Sequence, residues 1–240
     1  MPTYPIKLKN REEVASGTMA FHFEKPEGFV FKSGQHADFT LLNPPETDAE
    51  GNSRTFSLVS APHENELVFA TRMRDTAFKR VLKTMPLGTE LTLEGPFGSM
   101  TLQNDVSRPA VFLAGGIGIT PFISMVRHAT EQKLSHKIFL FYSNRKVEDA
   151  PFLSELQNLE KQNLNFKLIA TMTGSEKSEQ SWIGERGYIN KEMLAKYIRD
   201  ISKPVYYLAG PPQMVLVMRE MLNNAGIDDD NIRSEEFGGY

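Results

Sequence analysis

The pattern of hydrophobic and polar positions differs between the two halves of the chain. Between residues 4 and 103, short stretches with strand character are separated by Gly, Pro and Asn, and five examples are residues 19–23, 36–41, 55–59, 67–71 and 91–93. Turn residues at this spacing are typical of a small antiparallel β-barrel or sandwich. A helix over residues 76–83 is expected to interrupt the barrel before Pro86 and Gly88.

From residue 110 onward, strands and helices are predicted to alternate. The predicted strands are residues 110–114, 138–142, 166–170, 205–209 and, at an edge, 232–237. The predicted helices are residues 121–132, 151–162, 191–199 and 212–225. Continuous apolar strands indicate burial on both faces, and this alternation favours a doubly wound, mostly parallel sheet. We therefore predict two domains, an antiparallel β-barrel in residues 1–105 and an α/β domain in residues 106–240.

Composition narrows the function classes. A net charge of −3 over 240 residues argues against a general nucleic-acid binder, which carries a basic excess. The chain contains no cysteine, which excludes disulfides, a catalytic thiol and thiolate-held metal clusters within it. No apolar run approaches the roughly 18 residues that span a bilayer. The five histidines show no metal-binding spacing. We expect a cytoplasmic protein with no membrane span and no metal.

A glycine turn, Gly115-Gly116-Ile117-Gly118, separates a predicted buried strand from a predicted helix. Glycine lets the backbone approach a phosphate, and a helix N-terminus offers free N–H groups to an anion. Gly116 and Gly118 fit the first two glycines of the dinucleotide-binding motif, but Pro121 stands at the third. The segment therefore does not match the dinucleotide-binding motif of ordinary dehydrogenases. A tight strand–helix connection without a ligand is the alternative interpretation.

The end of the second predicted strand bears on the nucleotide. A site for NAD usually has Asp or Glu there, bound to the ribose 2′-hydroxyl. This chain has Ser143 and Arg145, which suit a 2′-phosphate and favour NADPH over NADH. The alternative is that Arg145 is an ordinary surface charge.

Two segments in the first half carry cationic and hydroxyl side chains. Arg54-Thr55-Phe56-Ser57 offers a phosphate-binding guanidinium, an apolar ring and a hydroxyl. Asp75 or Thr76 is a candidate N-cap for the helix that follows Arg72, and the same helix start could hold a phosphate. Taken alone, the first segment favours a structural role, and the second is equally compatible with one.

Taken together, these motifs resemble the ferredoxin–NADP reductase superfamily over nearly the whole chain. Arg54-Thr55-Phe56-Ser57 is similar to that family's Arg-x-aromatic-Ser/Thr flavin motif. The resemblance implies that Arg54 holds the FAD pyrophosphate, that Phe56 packs beside the flavin and that Ser57 bonds near flavin N5. A second flavin segment is implied by Ala70, Thr71, Arg72, Met73, Thr76 and Ala77.

The nucleotide motifs of the second half also resemble the family. Its Gly-Gly-x-Gly-x-Thr-Pro motif is matched by Gly115, Gly116, Gly118, Thr120 and Pro121. The family's Cys-Gly-Pro-Pro-x-Met segment beside the nicotinamide is matched by Gly210, Pro211, Pro212 and Met214, with Ala209 in place of Cys. The C-terminal Glu235, Phe237 and Tyr240 resemble a Glu-x-aromatic ending, in which Phe237 or Tyr240 would stack on the flavin. The resemblance implies that Ser57, Thr120, Glu235 and Phe237 act where hydride is transferred.

The resemblance implies a flavin-dependent oxidoreductase that passes a hydride from NADPH or NADH to FAD and then electrons to a separate acceptor. That acceptor would be a redox protein, such as ferredoxin or flavodoxin, or a small molecule. Two alternatives stay open: an electron-transfer subunit with little activity alone, and a flavin-free NAD(P) dehydrogenase. FMN in place of FAD and the oligomeric state are open as well.

Overall fold

The structure is a computed structural model that describes residues 2–238 of the chain. Its first sheet has the order β4-β3-β6-β1-β2-β5, and every pairing in it is antiparallel. The strands are β1 (Thr3–Ala15), β2 (Thr18–Glu24), β3 (His36–Leu41), β4 (Ser53–Ser57), β5 (Glu66–Arg72) and β6 (Glu90–Phe97), with helix α1 (Ala77–Thr84) after β5.

This sheet closes on itself beyond β4. A bridge joins Leu58 to Phe69 of β5, and the Val59 N–H donates to the Val68 carbonyl at 2.7 Å. Closure pairs the two edge strands, whose N–H and C=O groups would be left unpaired in an open sheet. The enclosed core is aromatic and contains Phe21, Phe23, Phe39, Phe69 and Phe78. The predicted antiparallel β-barrel is confirmed.

Strand β1 is the barrel element that the hydrophobic pattern did not single out. Ile6 and Leu8 point into the core with a two-residue period. The second half of β1 is a hairpin arm with Arg11, Glu12 and Glu13 on it, so the alternation that identifies a half-buried strand stops midway.

The second sheet has the order β10-β9-β8-β7-β11-β12, and all its pairings are parallel. Its strands are β7 (Ala110–Gly115), β8 (Ile138–Asn144), β9 (Phe166–Met172), β10 (Glu185–Arg186), β11 (Val205–Gly210) and β12 (Ile232–Glu236). The helices are α2 (Thr120–Glu131), α3 (Leu153–Gln162), α4 (Lys191–Tyr197) and α5 (Pro212–Asn224). The predicted doubly wound parallel sheet is confirmed, and β12 lies at an edge as expected.

Two helices are shorter than the pattern predicted. The residue before α3, Phe152, has φ 59°, a left-handed conformation that cannot belong to the helix. The first residue after α4, Ile198, is extended, with φ −118° and ψ 113°. The two-residue strand β10 was not predicted either, because it is too short to show a period.

Helix α2 packs directly on the barrel. One continuous apolar cluster contains Val59, Val68 and Met100 from the barrel side together with Phe122 and Met125 of α2. The Ser124 hydroxyl donates to the Ser60 carbonyl at 2.7 Å. Gly34 has φ +94°, and a Cβ there would lie 2.1 Å from the Met100 carbonyl oxygen and 2.2 Å from Met125 Cε, so this position requires glycine. The two halves therefore share a core.

The segment that joins the two sheets is fixed by buried polar groups. Gln103 is 7% exposed, and its backbone N–H donates to the Tyr207 hydroxyl at 2.9 Å. The same hydroxyl donates to Gln103 Oε1, while Gln103 Nε2 donates to the Arg108 carbonyl at 2.8 Å. His136 Nε2 lies 2.8 Å from the Gln103 carbonyl oxygen. Among the described helices, none is long and apolar enough to cross a membrane.

We predict that Tyr207→Phe destabilises the protein by about 1–3 kcal/mol, because it leaves two buried groups of Gln103 without their partner. Tyr206→Phe is the matched control on the same strand, since its hydroxyl donates to one carbonyl, that of Ile201, at 2.7 Å. The control should cost about 1 kcal/mol. Urea denaturation of both variants measures the difference, and an equal or smaller loss for Tyr207→Phe would contradict this role of Gln103.

Candidate functional site

A cleft of about 700 Å³ lies between the barrel and the carboxyl edge of the parallel sheet. Its barrel wall comes from β4, the end of β5 and the start of α1. Its other wall comes from the glycine turn and from the end of β12. The predicted site residues that line it are Arg54, Thr55, Phe56, Ser57, Ala70, Thr71, Arg72, Thr76, Thr120, Glu235 and Phe237. Motifs far apart in sequence thus meet in one cavity.

Arg54 lies at one end of this cleft and faces a pair of acids. Its Nη2 is 3.0 Å from Asp48 Oδ1 and 2.9 Å from Glu50 Oε2. Its Nη1 donates to backbone carbonyls of the same loop, and the guanidinium stands 5.3 Å from the centre of the Phe78 ring. Asp48, Glu50 and Gly51 of the loop before β4 therefore fold over Arg54.

The start of helix α1 meets the same carboxylate. Thr76 is the N-cap, and its hydroxyl accepts from the Lys79 N–H at 3.4 Å. Asp48 Oδ2 accepts from the Ala77 N–H at 3.1 Å. One anionic group thus bridges Arg54 and the α1 N-terminus, the two places where the family resemblance puts the FAD pyrophosphate. Such a stand-in anion shows that the residues present fit a phosphate.

Cations concentrate at this end of the cleft. Arg72, Arg74 and Lys79 line it beside Arg54, and Lys79 Nζ donates to the Arg72 carbonyl at 2.8 Å. Burial lowers the pKa of Lys79, and the neighbouring charges of Arg74 and Arg54 lower it further. Mutual repulsion of this kind is relieved by a bound anion.

The pKa of Asp48 reflects the same surroundings. Burial acts to raise it, but hydrogen bonds from the Glu50 N–H, from Arg54 and from the Ala77 N–H outweigh that effect. The pKa therefore lies below its usual value, and Asp48 is an anion at neutral pH.

The middle of the cleft is apolar on its barrel side. The ring of Phe56 is stacked on that of Phe69, with centroids 4.1 Å apart, so it is fixed by the barrel core. Ser57 is buried at the end of β4, opposite His36 of β3 in register. His36 Nδ1 lies 3.5 Å from Glu235 Oε1, which links the barrel to the end of β12.

The glycine turn is packed against β11. A Cβ at Gly118 would lie 2.3 Å from the Ala209 carbonyl oxygen, and one at Gly115 would lie 2.3 Å from Met214 Sδ. At Gly118 the clash is with backbone, so the packing alone demands glycine there, as the ligand-free interpretation held; at Gly115 it is with the flexible side chain of Met214. Gly116 has φ +51° in the turn, and the Thr120 hydroxyl donates to the Ile117 carbonyl at 3.0 Å, which places Thr120 at the cleft.

The remaining predicted residues lie outside the lining of the cleft. Those at the carboxyl edge of the parallel sheet, or in the turns and first helical turns that follow it, are Gly115, Gly116, Gly118, Pro121, Ser143, Arg145, Gly210, Pro211, Pro212 and Met214. Met73 packs against the barrel core, and Ala77 contributes its backbone N–H. Tyr240 lies outside the described residues.

The sequence interpretation did not identify several residues of this region. Asp48 was assigned to a polar loop, and its contact with Ala77, far along the chain, has no sequence signal. Asn144, the last residue of β8, is 6% exposed, and neither atom of its side-chain amide has a hydrogen-bond partner within residues 2–238. Its position could have identified it, because nucleotide sites place a ribose-binding side chain at the end of the second strand.

Comparison with known proteins agrees with this architecture. The sequence model of the family described as Oxidoreductase NAD-binding domain matches residues 112–220. The chain is 26% identical over 224 residues to the glycine betaine monooxygenase reductase subunit of Chromohalobacter salexigens, with 92% of this chain and 60% of the relative covered. It is 29% identical over 221 residues to the propane 2-monooxygenase reductase component of Rhodococcus jostii, covering 89% of this chain and 57% of that protein. The chain thus spans less than two thirds of the length of these curated relatives.

Among solved structures, the fold is similar to that of a ferredoxin NADP+ reductase from Neisseria gonorrhoeae with bound FAD and NADP. The TM-score is 0.81 at 20% identity, and 98% of each chain is covered. Along the chain, the closed antiparallel barrel comes first, and the parallel sheet that contains most of the NAD-binding family match comes second. The cleft lies between the two. The chain has the two-domain fold of that reductase, and its residues 112–220 match the Oxidoreductase NAD-binding domain family.

Proposed function

We propose that this protein is an FAD-dependent NAD(P)H oxidoreductase that passes electrons from the nucleotide to an acceptor outside these residues. The observation that carries the proposal is that Arg54, Ser57 and Thr120 line one cleft. The first two belong to the flavin motif and the third to the nucleotide motif. We assign flavin binding to residues 1–105 and nucleotide binding to residues 106–240.

The barrel residues would hold FAD at its pyrophosphate and at its isoalloxazine. Arg54 and the Ala77 N–H would bind the pyrophosphate, because they already bind a carboxylate, and Thr76 would lie beside them as the N-cap of α1. Phe56 would support the isoalloxazine from a ring that Phe69 keeps in place. When bound, FAD supplies hydride acceptance and electron release, and the protein orients and shields it.

The α/β residues would place the nicotinamide at the opposite wall. Glu235 is held by His36, and the backbone N–H of Phe237 donates to the Gly210 carbonyl at 3.0 Å. This bond ties the C-terminal segment to the Gly210 turn, where the family resemblance places the nicotinamide. Thr120 would bind the nucleotide at the start of α2, and Phe237 would exclude water from the flavin face until the nicotinamide takes its place.

We propose the kind of acceptor from what the relatives are. Reductase components of a glycine betaine monooxygenase and of a propane 2-monooxygenase suggest a protein redox partner of an oxygenase system. The 240 residues contain no cysteine, so they supply no thiolate ligand for an iron–sulfur cluster of their own. A cytoplasmic location stays a prediction.

We predict that the purified protein binds FAD and that NADPH or NADH reduces it without any partner protein. Stopped-flow absorbance in the flavin band after mixing with each nucleotide measures the rate of reduction. Fast bleaching by the nucleotide alone would speak against a subunit that needs a complex for activity. A protein that stays colourless after incubation with FAD would contradict the proposed function.

We predict that Arg145→Ala lowers the affinity for NADPH by about tenfold and leaves that for NADH unchanged, since a charge-assisted hydrogen bond to the 2′-phosphate contributes roughly 1.5 kcal/mol. Titration with NADP+ and NAD+ gives both dissociation constants. Lys146→Ala is the matched control, because Lys146 already lies 3.6 Å from Glu148 Oε1. Equal losses for both nucleotides in Arg145→Ala would contradict a role in 2′-phosphate binding.

A further inference from the structure

Asp48 occupies the donors that a flavin phosphate would need. Its Oδ1 is bound by Arg54 Nη2 at 3.0 Å and its Oδ2 by the Ala77 N–H at 3.1 Å. A carboxylate that bridges a guanidinium and a helix N-terminus uses the same charge-assisted bonds as a phosphate oxygen pair. Both anions cannot hold these two donors at once.

We propose that Asp48 is an internal competitor that sets the affinity of the protein for flavin phosphates. The FAD pyrophosphate binds by displacing the Asp48 carboxylate from Arg54 and from the start of α1. This inference rests on the proposed function for the identity of the ligand, but the competition itself is a property of Asp48 and of its two donors.

The loop around Asp48 is built so that the carboxylate can withdraw. Most side chains in residues 42–51 are exposed, so moving them uncovers little apolar surface. The loop is attached to α1 at its outer side through Arg80, whose Nε donates to Glu46 Oε1 at 3.0 Å. At its base, Asn52 Nδ2 donates to the Leu41 carbonyl at 2.7 Å. Asp48 lies between these two attachments and can turn outward into water while both are kept.

The surrounding charges explain why such a carboxylate is useful. Arg54, Arg72, Arg74 and Lys79 converge on this end of the cleft, where burial and, to a smaller extent, the charges of Arg74 and Arg54 lower the pKa of Lys79. Asp48 and Glu50 balance part of that charge in the protein itself. A pyrophosphate carries more negative charge than Asp48, and it therefore gains more from the same cations. The apparent affinity for pyrophosphate scales with the fraction of molecules in which Asp48 has left the two donors, so it falls as Asp48 occupies them more often.

The decisive variant is Asp48→Asn, whose side chain has the same shape and can still accept from the Ala77 N–H. We expect it to bind FAD about tenfold more tightly than the wild type, because the neutral amide competes poorly for Arg54. Quenching of flavin fluorescence on titration into flavin-free protein measures the dissociation constants of FAD, FMN and riboflavin. FAD and FMN should gain affinity, whereas riboflavin, which has no phosphate, should not.

Glu50→Gln is the matched control. It removes an equal charge from the same loop and from the same Arg54 nitrogen, but the Glu50 side chain is 72% exposed, and the Ala77 N–H at the start of α1 is bound by Asp48. We expect a change in FAD affinity of less than about twofold, as for exposed ion pairs. An equal gain in Glu50→Gln would overturn the proposal, because loop charge alone would then account for the effect.

Inorganic pyrophosphate separates this inference from the proposed function. Calorimetry should show tighter pyrophosphate binding to Asp48→Asn than to the wild type, whether or not either protein binds flavin. A wild type that binds no flavin would contradict the proposed function, and the pyrophosphate comparison would still decide the role of Asp48. Weaker binding of FAD and pyrophosphate by Asp48→Asn would overturn the inference, since Asp48 would then organise the site instead of competing for it.

Discussion

The shape of the cleft depends on the packing of helix α2 against the barrel. The Ser124 hydroxyl donates to the Ser60 carbonyl, and Met125 packs beside Gly34, where the Met100 carbonyl oxygen leaves no room for a Cβ. Because the glycine turn is continuous with the first turn of α2, fixing the helix also fixes Thr120 opposite Ser57. On its other side, the turn rests on the Ala209 backbone through Gly118. Close packing of this kind tolerates few substitutions, and it makes the width of the cleft a property of the core.

The charge of the residues that line the cleft differs between its two ends. Cations gather at the end formed by β5 and α1, where burial and like charge depress the pKa of Lys79. Glu235 and His36 stand at the end formed by β3 and β12. Between them lies the ring of Phe56, held parallel to Phe69. A ligand with a doubly charged diphosphate and a flat apolar ring system matches this distribution, and its charged and apolar parts can lie in the cleft in a single direction.

The two halves of the chain were predictable because their patterns have different periods. Residues 110–114 read as a buried strand since both faces of β7 are covered, and β3 alternates strictly between buried and half-buried positions. What a local pattern cannot carry is a contact between distant segments. The clash that forces glycine at position 118 comes from Ala209, and the anion at the α1 N-terminus comes from Asp48. The sequence motif marked the glycine correctly, but the reason for it lies on another strand.

Asn144, at the end of β8, has a buried side-chain amide whose two polar atoms lack hydrogen-bond partners within residues 2–238. It follows Ser143 and precedes Arg145 in the sequence. Leaving such groups unpaired lowers the stability of the fold by about 1–3 kcal/mol. An apolar residue at a purely structural position would not have this cost. An amide can accept from a ribose hydroxyl, as a carboxylate does, and it carries no charge that would repel a 2′-phosphate. Under the proposed function, a neutral side chain at this point would leave the electrostatic choice between the two nucleotides to Arg145, which is exposed.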